Sequence, residues 1–301
     1  MTSVLLLGYS RPESIVQRIK EIASNNPSHL YVSIDKSESP ETRKSVRLAV
    51  ENALNQYPNP TSVSVTFQDS RLGLSSHITT ALNSALENEK QVAILEDDIK
   101  IGPTYLAQLT KGYERYSDNL NFGTVGGFSG FPIPRANTNN YWRTTKYFSA
   151  WGWMTSGATW EKYQLNLPPG DFNNQLSASE SWMRLSDRQK KTWLHRFEKV
   201  RNNPGLTWDF QMQYLSFKFD LFNVLPVFRI CENVGFGDAR STNTKEAKPK
   251  WMQSDTLCTS QIGGEIPKIA SDFLSNHIDS FTISGDSSIR QNLNWIRRKL
   301  S

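Results

Sequence analysis

The chain has 301 residues, of which 37% are hydrophobic and 21% charged, and it carries a formal net charge of +5 at pH 7. This composition predicts a soluble globular protein, because no apolar run approaches the roughly 20 residues that a membrane-spanning helix needs. A secretory signal is not expected at the N-terminus. The two cysteines, Cys231 and Cys258, lack metal-binding spacing and favour a reducing compartment.

The first hundred residues alternate between short apolar strands and amphipathic helices. The predicted strands read "SVLLLG", "LYVSID", "SVSVTF" and "VAIL". Ser10 and Glu13 have the spacing of a capping box at the start of the first helix. Strands separated by helices of this length predict an α/β fold with a mostly parallel sheet flanked by helices.

Polar side chains follow each of these four strands. In a parallel sheet, ligands bind beyond the carboxyl ends of the strands, so the four groups are expected to share one edge. The groups are Tyr9-Ser10-Arg11, Asp35-Lys36, Gln68-Asp69-Ser70-Arg71 and Glu96-Asp97-Asp98. The last group places three mutually repelling acids in a row. Carboxylate oxygens are preferred ligands of Mg²⁺ and Mn²⁺, so this group predicts a site for a divalent cation.

The second half of the chain has a different composition. All nine tryptophans lie between Trp142 and Trp295. A helix is predicted after Ser186, which forms a capping box with Gln189, and another is predicted in "WDFQMQYLSFKF". Residues 184–201 hold seven Lys or Arg and two acids. This segment could meet nucleic acid, an anionic membrane or an acidic substrate, or it could be a solvated helix face.

Several common catalytic motifs are missing from the sequence. It has no phosphate-binding G-x-x-x-x-G-K-[ST] loop, no G-x-G-x-x-G after the first strand, no H-E-x-x-H, no C-x-x-C and no G-x-S-x-G elbow. The three acids that follow the fourth predicted strand are therefore the strongest indication of function in the sequence.

The segments "VLLLGYSRPE", "LYVSID", "GLSSHITTALNSALE" and "VAILEDDI" resemble the nucleotide-sugar half of GT-A-fold glycosyltransferases. The nearest resemblance is to the N-acetylglucosaminyltransferases that initiate complex N-glycans and to bacterial sugar transferases like them. The likeness continues through "YFSAWGWMTSGATW", "TWDFQMQY" and "FRICENVGFGDARSTNT", and covers roughly residues 3 to 244.

The resemblance implies a domain organisation. Residues 1–120 would form a Rossmann-like half that binds a nucleotide sugar, most often a UDP-sugar. Residues 121–280 would form a Trp-rich acceptor-binding and catalytic half. Beyond the region of resemblance, the pattern of the sequence itself predicts a basic amphipathic C-terminal segment at residues 281–301.

The resemblance also implies roles for the three strand-end acids. Asp98 would bind Mn²⁺ or Mg²⁺ bridging the two phosphates of the donor, Asp97 would face the ribose and Glu96 would brace the loop. Asp35 would hydrogen-bond the base, and Arg11 would lie near the base or the phosphates. His77 would touch the base in this scheme; the alternatives are a local helix cap and a packed side chain.

Sugar transfer by inversion needs a general base on the acceptor side. Asp209 is the candidate because its neighbours Trp208 and Phe210 would exclude water and raise its pKa. The alternative for Asp209 is a helix N-cap. The reserve candidates are Glu180, Asp171 and Glu232, and a retaining enzyme is expected if no such base exists.

Aromatic faces stack on sugar rings, so three tryptophans are candidates for the acceptor site. These are Trp151, Trp153 and Trp208. The alternative for each of them is a place in the hydrophobic core.

The sequence thus predicts a metal-dependent glycosyltransferase that moves a sugar from a nucleotide-diphosphate donor to a glycan or lipid-linked acceptor, with no nucleic-acid partner. The alternatives are a metal-dependent phosphodiesterase or nuclease, and a non-catalytic carbohydrate-binding protein. A cytoplasmic location is expected. Ile289, Leu293, Ile296 and Leu300 form an apolar stripe beside basic residues, which predicts peripheral contact with an anionic membrane or packing on the protein's own core.

Overall fold

The fold is an α/β arrangement around one central sheet. The computed structural model describes residues 2–128, 141–226, 229–240, 247–248, 257 and 264–265. Nine strands form the sheet in the order β11-β7-β9-β6-β8-β4-β1-β2-β3, and most neighbouring strands are parallel. The predicted α/β fold with a mostly parallel sheet flanked by helices is confirmed.

The strands and helices have the following bounds. The strands of the central sheet are β1 (Ser3–Gly8), β2 (Leu30–Ile34), β3 (Val63–Phe67), β4 (Gln91–Glu96), β6 (Phe122–Gly126), β7 (Tyr141–Thr145), β8 (Trp153–Ser156), β9 (Phe222–Pro226) and β11 (Gly264–Glu265). A separate ribbon pairs β5 (Ile99–Ile101) with β10 (Cys231–Asn233). The helices are α1 (Pro12–Ser24), α2 (Pro40–Leu54), α3 (Leu74–Leu86), α4 (Tyr105–Tyr116), α5 (Gly157–Trp160), α6 (Phe172–Gln175), α7 (Glu180–Met183), α8 (Asp187–Asn202) and α9 (Asp209–Lys218), with a 3₁₀ turn at Pro60–Ser62.

Strand β1 lies at the centre of the parallel part and is buried on both faces. Its Val4 and Leu6 join a core cluster that includes apolar residues of α1 and α2. Its Leu5 and Leu7 join a second cluster on the other face with apolar residues of α3. This double coverage explains why the strand sequence is continuously apolar rather than alternating.

The sheet continues across the boundary predicted near residue 120. Strand β8 pairs antiparallel with both β4 and β6, so it joins the strands of the first hundred residues to those of the second half. A third cluster of mostly aromatic side chains lies under α8 and α9, and includes the fully buried Phe197 and Phe217.

Two helix starts test the predicted capping boxes. The capping box of Ser186 and Gln189 is present at the start of α8, as predicted. The predicted box of Ser10 and Glu13 is wrong, because α1 begins at Pro12 with Arg11 as its N-cap and without a side-chain cap. Proline at the first helical position has no N–H to satisfy, so this end needs less capping.

Within the described part of the chain, no helix is long and apolar enough to cross a membrane. The amphipathic segment predicted for residues 281–301, and with it the predicted membrane contact, lies outside the described residues.

The carboxylate of Asp220, a residue far from α7 in the sequence, binds the N-terminus of this short helix. The carboxylate accepts hydrogen bonds from the Ser179 hydroxyl at 2.8 Å and from the backbone N–H groups of Glu180 and Ser181 at 3.1 and 2.8 Å. Partial burial alone would raise the pKa of Asp220, but these bonds outweigh it and lower the pKa below 3.8. A carboxylate stabilised in this way contributes stability above its unfolded pKa, which is lost as the pH falls through the lowered value.

We therefore expect Asp220→Asn to lower the free energy of unfolding by about 1–2 kcal/mol at pH 7, since Asn offers one acceptor oxygen instead of two. Asn also tolerates the positive φ of 49° at this position. Urea unfolding should show the difference from wild type shrinking below about pH 4. Asp118→Asn, at an exposed position, is the control. An equal loss in both variants, or a difference that does not decrease at all as the pH falls below about 4, would contradict the assignment.

Candidate functional site

The carboxyl ends of β1 and β4 are neighbours in the sheet. The two strands pair in parallel, with Leu7 opposite Glu96. The chain leaves β1 through Tyr9 and Ser10 into Arg11, and leaves β4 into Asp97 and Asp98. The pairing therefore brings an arginine and two aspartates together, as the strand-end pattern predicted.

Arg11 contacts both aspartates. Its Nη2 atom donates to Asp97 Oδ1 and lies 3.3 Å from Asp98 Oδ2. The exposed side-chain fractions are 12% for Arg11, 4% for Asp97 and 13% for Asp98. Burying adjacent carboxylates is costly unless a positive charge compensates them, and Arg11 provides that charge.

Among the acids Glu96, Asp97 and Asp98, Asp97 is the most deeply buried. Burial raises its pKa to about 6, although the charge of Arg11 and a hydrogen bond from the Tyr9 backbone oppose the rise. Its second oxygen, Oδ2, is buried without a hydrogen-bond partner. Such an oxygen carries a desolvation cost that an approaching donor or cation would relieve.

Glu96 lies at the end of β4 on the same edge. Burial raises its pKa well above its usual value, and the negative charges of Asp98, Asp97 and Asp209 add to the rise. The effect of the Asp209 charge on the pKa of Glu96 connects two distant parts of the chain. The start of α9, more than one hundred residues later in the sequence, therefore lies near the strand-end acids.

Asp209 is the first residue of α9, and Trp208 occupies the N-cap position. Burial raises the pKa of Asp209 in the predicted direction, although hydrogen bonds from the Thr207 hydroxyl and from the backbone of Phe210 oppose it. Asp209 is therefore not the N-cap, but its carboxylate bonds to N–H groups at the helix N-terminus. The raised pKa makes this carboxylate a stronger base than an ordinary aspartate, which suits proton transfer.

Asp35 anchors the loop that follows β3. Its two oxygens accept hydrogen bonds from the backbone N–H groups of Lys36, Leu72 and Gly73, each at 2.9 Å. A carboxylate has about four acceptor positions, so one remains for a ligand. The predicted contact of Asp35 with a base stays a prediction.

His77 lies in the first turn of α3 and is buried. A hydrogen bond of 2.9 Å joins its Nε2 atom to the hydroxyl of Ser33 on β2. Burial lowers the pKa of His77, while the charge of Asp35 opposes that shift. The structure thus packs His77 against Ser33 of β2 within reach of the charge of Asp35, and its predicted contact with a base also stays a prediction.

Two of the three candidate tryptophans lie in the core. Trp153 and Trp208 are 1% and 2% exposed and stack on each other with ring centroids 5.2 Å apart. This burial corrects the expectation that their faces stack on a sugar, because neither face is accessible. Trp151 is only partly buried, between Phe128 and Phe236, and stays a candidate.

The reserve candidates for the base are engaged elsewhere. Asp171 caps α6 by accepting from the Asn173 N–H at 2.9 Å. Glu180 is exposed and pairs with Arg184, and Glu232 pairs with Lys248. None of the three is linked to the acids that follow β4 by a described contact.

The residues at the strand ends fit a divalent cation in their chemistry, since they offer adjacent carboxylates and the unpartnered Oδ2 atom of Asp97. Among the residues that the structure describes, no group of three or more His, Cys, Asp or Glu could hold a metal ion on its own. A cation at Asp98 would therefore need further oxygen ligands from water or from a bound phosphate.

Gly235 is a part of the site to which the sequence did not assign a role. A Cβ atom at this position would lie 2.5 Å from Asp98 Oδ2, 2.9 Å from Asp98 Cβ and 3.1 Å from Arg11 Nη1. The ribbon of β5 and β10 carries the backbone of residues 234–235 over these side chains, and Val234 N donates to Asp98 O at 2.8 Å. The two closely spaced glycines of "NVGFGD" were the available signal, since glycine permits close backbone approach.

Comparisons with known proteins leave the family open. No family model matches the chain, and no curated protein matches it either. Among solved structures, the chain is similar to UDP-glucose pyrophosphorylase complexed with UDP-glucose, with 13% sequence identity and a TM-score of 0.28 over 54% of this chain and 70% of that one. A likeness this weak identifies neither a family nor a function.

We expect Gly235→Ala to destabilise the protein by about 1–3 kcal/mol, because the added methyl group overpacks Asp98 and Arg11. Gly157→Ala is the matched control, since a Cβ there has no neighbouring atom within 4 Å. Chemical denaturation of both variants measures the effect.

A double-mutant cycle with Asp98→Ala identifies the clash. Removing the carboxylate should recover part of the stability lost in Gly235→Ala, because the nearest contact disappears. Strictly additive losses would show that the close approach to Asp98 is not the cause.

Proposed function

We propose that the protein is a glycosyltransferase that uses a nucleotide-diphosphate sugar as donor, a UDP-sugar being the first candidate, and a divalent cation as cofactor. The observation that carries this proposal is the meeting of Arg11, Asp97 and Asp98 at the carboxyl edge of the parallel sheet, with Asp209 near enough for its charge to act on Glu96. A cationic side chain and paired carboxylates suit a diphosphate, while a separate, partly buried carboxylate suits an acceptor hydroxyl.

The diphosphate is expected to bind beside Arg11 and Asp98. Arg11 carries a delocalised positive charge that matches phosphate oxygens, and it already lies beside the carboxylates. Asp98 would hold Mn²⁺ or Mg²⁺, which would neutralise charge on the leaving diphosphate. Asp97, with its unpartnered Oδ2, would accept a hydrogen bond from a hydroxyl such as that of the ribose.

Asp209 would act on the acceptor. In an inverting transfer the acceptor hydroxyl oxygen forms a bond to the anomeric carbon while the bond from that carbon to the phosphate oxygen breaks. The hydroxyl proton passes to Asp209, and the nucleoside diphosphate leaves. The partly buried position and raised pKa of Asp209 make its carboxylate a better base than an exposed aspartate.

The alternatives are less well supported by the described residues. A phosphodiesterase or nuclease that uses paired metal ions would need a larger set of ligands, and no cluster of three or more metal-binding side chains occurs among the residues described. A non-catalytic carbohydrate-binding protein would have no need for buried, charge-compensated carboxylates at this edge.

A thermal-shift panel tests the proposal directly. Binding to the folded state raises the apparent stability by RT ln(1 + [L]/Kd), so a donor should shift the melting temperature only when Mn²⁺ is present. UDP-sugars, GDP-sugars and UDP alone are compared, with and without Mn²⁺. Slow release of free sugar would then mark transfer to water. No shift with any nucleotide would reject the proposal.

Asp98→Ala should abolish Mn²⁺-dependent donor binding and lower turnover by more than about 10²–10³, because losing one preorganised electrostatic contact already costs that much. Asp118→Ala, at an exposed site, should behave as wild type. Donor titrations and circular dichroism separate a binding defect from misfolding. Near-normal activity in Asp98→Ala would show that the cation site lies elsewhere.

Asp209→Asn preserves shape and removes basicity, so we expect a large fall in kcat with donor affinity nearly unchanged. Asp171→Asn is the control, because asparagine caps α6 as well as aspartate does. Steady-state kinetics and donor titration provide the measurement. If Asp209→Asn loses donor binding in equal measure, Asp209 belongs to the donor side. A product that retains the anomeric configuration of the donor would also exclude Asp209 as the base.

A further inference from the structure

We infer that one face of α8 binds the acceptor, and that this acceptor is an anionic glycan, one that carries phosphate, sulfate or carboxylate groups. The inference rests on the proposed function, because it assigns a substrate class to the transferase site. It concerns the basic face, defined here as Arg188, Lys191, Thr192, His195, Arg196 and Lys199.

The basic face is a single surface of the helix. Its members recur at intervals of three and four residues, so they lie on one side of α8 over roughly 17 Å. Arg188, Lys191, His195 and Lys199 are exposed. The two acids of the helix, Asp187 and Glu198, border this face, and Glu198 pairs with Arg201. The four Lys and Arg side chains of the face outnumber these acids, so positive charge is in excess there.

The basic face is a shallow depression and not a deep cleft. Together with Phe210 it lines an open pocket of about 410 Å³. A small ligand of a few sugar units fits a depression of this size. A helix that lies in a membrane interface inserts large apolar side chains, and none of the exposed large apolar residues among those described lies on this face.

Arg196 connects the basic face to the candidate base. Its guanidinium lies over the rings of Trp193 and Phe210, at 4.7 and 5.2 Å from the ring centroids. Phe210 directly follows Asp209, and the charges of Arg196 and Asp209 influence each other. A glycan held on the basic face would thus extend towards the carboxylate proposed to deprotonate its hydroxyl.

Nucleic acid is a weaker candidate for this surface. Recognition of single strands relies on several aromatic platforms, whereas this face offers one recessed ring, Phe210. A duplex would need a broader basic surface than one short helix face provides.

The test uses the full chain and a fluorescent heparin-derived tetrasaccharide as an anionic glycan probe. Its binding is followed by anisotropy at two salt concentrations. Lys191→Gln/Lys199→Gln removes two exposed charges from the face. Lys20→Gln/Lys44→Gln removes two exposed charges from α1 and α2 and is the matched control.

We expect the probe to bind wild type, to be released by salt, and to bind Lys191→Gln/Lys199→Gln roughly three- to tenfold more weakly, given what exposed charge pairs contribute. The control pair should bind as wild type, and neutral maltotetraose should not compete. Equal weakening in both pairs, or no binding to wild type, would overturn the proposal. So would binding of phosphatidylglycerol vesicles or a 20-base-pair duplex at this face without binding of the tetrasaccharide.

The same samples separate this proposal from the proposed function. Thermal shifts with a UDP-sugar and Mn²⁺ report the donor site alone, and should be unchanged in Lys191→Gln/Lys199→Gln. A protein that binds the tetrasaccharide but no nucleotide sugar would reject the transferase function. A protein that binds the donor but not the tetrasaccharide would reject only the anionic acceptor.

Discussion

The pairing of Arg11 with Asp97 and Asp98 is the interaction on which the arrangement of the site depends. Adjacent carboxylates repel each other, and burial raises the free energy of their charged forms. With a guanidinium between them the aspartates can remain charged while they are mostly buried. The compensation is incomplete, because Asp97 Oδ2 has no partner and the pKa of Glu96 is raised. A site with this residual imbalance favours a ligand that brings additional positive charge or hydrogen-bond donors.

The fold positions this pairing by two separate routes. Parallel pairing of β1 with β4 places the residues that follow both strands at one edge of the sheet, although they are 86 positions apart. The ribbon of β5 and β10 then returns a much later segment over them, and Gly235 allows its backbone to approach. Strand β8 completes the connection by pairing with β4 and β6. The strand-end site and helix α9, which carries Asp209, are therefore supported by one continuous sheet.

The sequence patterns predicted those strands and helix ends that depend on residues close together in the chain. The apolar runs identified β1 to β4, and Ser186 with Gln189 identified the start of α8. The strand-end acids were found because parallel topology brings them to one edge. The patterns could not show that Arg11 caps α1 and pairs with residues 86 positions away, nor that Trp153 and Trp208 stack in the core. Tryptophan suits both a core and a sugar site, and only the packing of distant segments decides between them.

The charge distribution suggests how the two proposed halves of the reaction are kept distinct. The acids at the end of β4 are compensated mainly by Arg11 and would attract a cation with its phosphates. The basic face of α8 carries an excess of positive charge and would attract negative groups on an acceptor. Asp209 is linked to both regions, since its charge raises the pKa of Glu96 while the charge of Arg196 lowers its own pKa. Arg196 thus favours the carboxylate form of Asp209. The cationic face that would hold the acceptor therefore also helps to keep the proposed base in the form that accepts a proton.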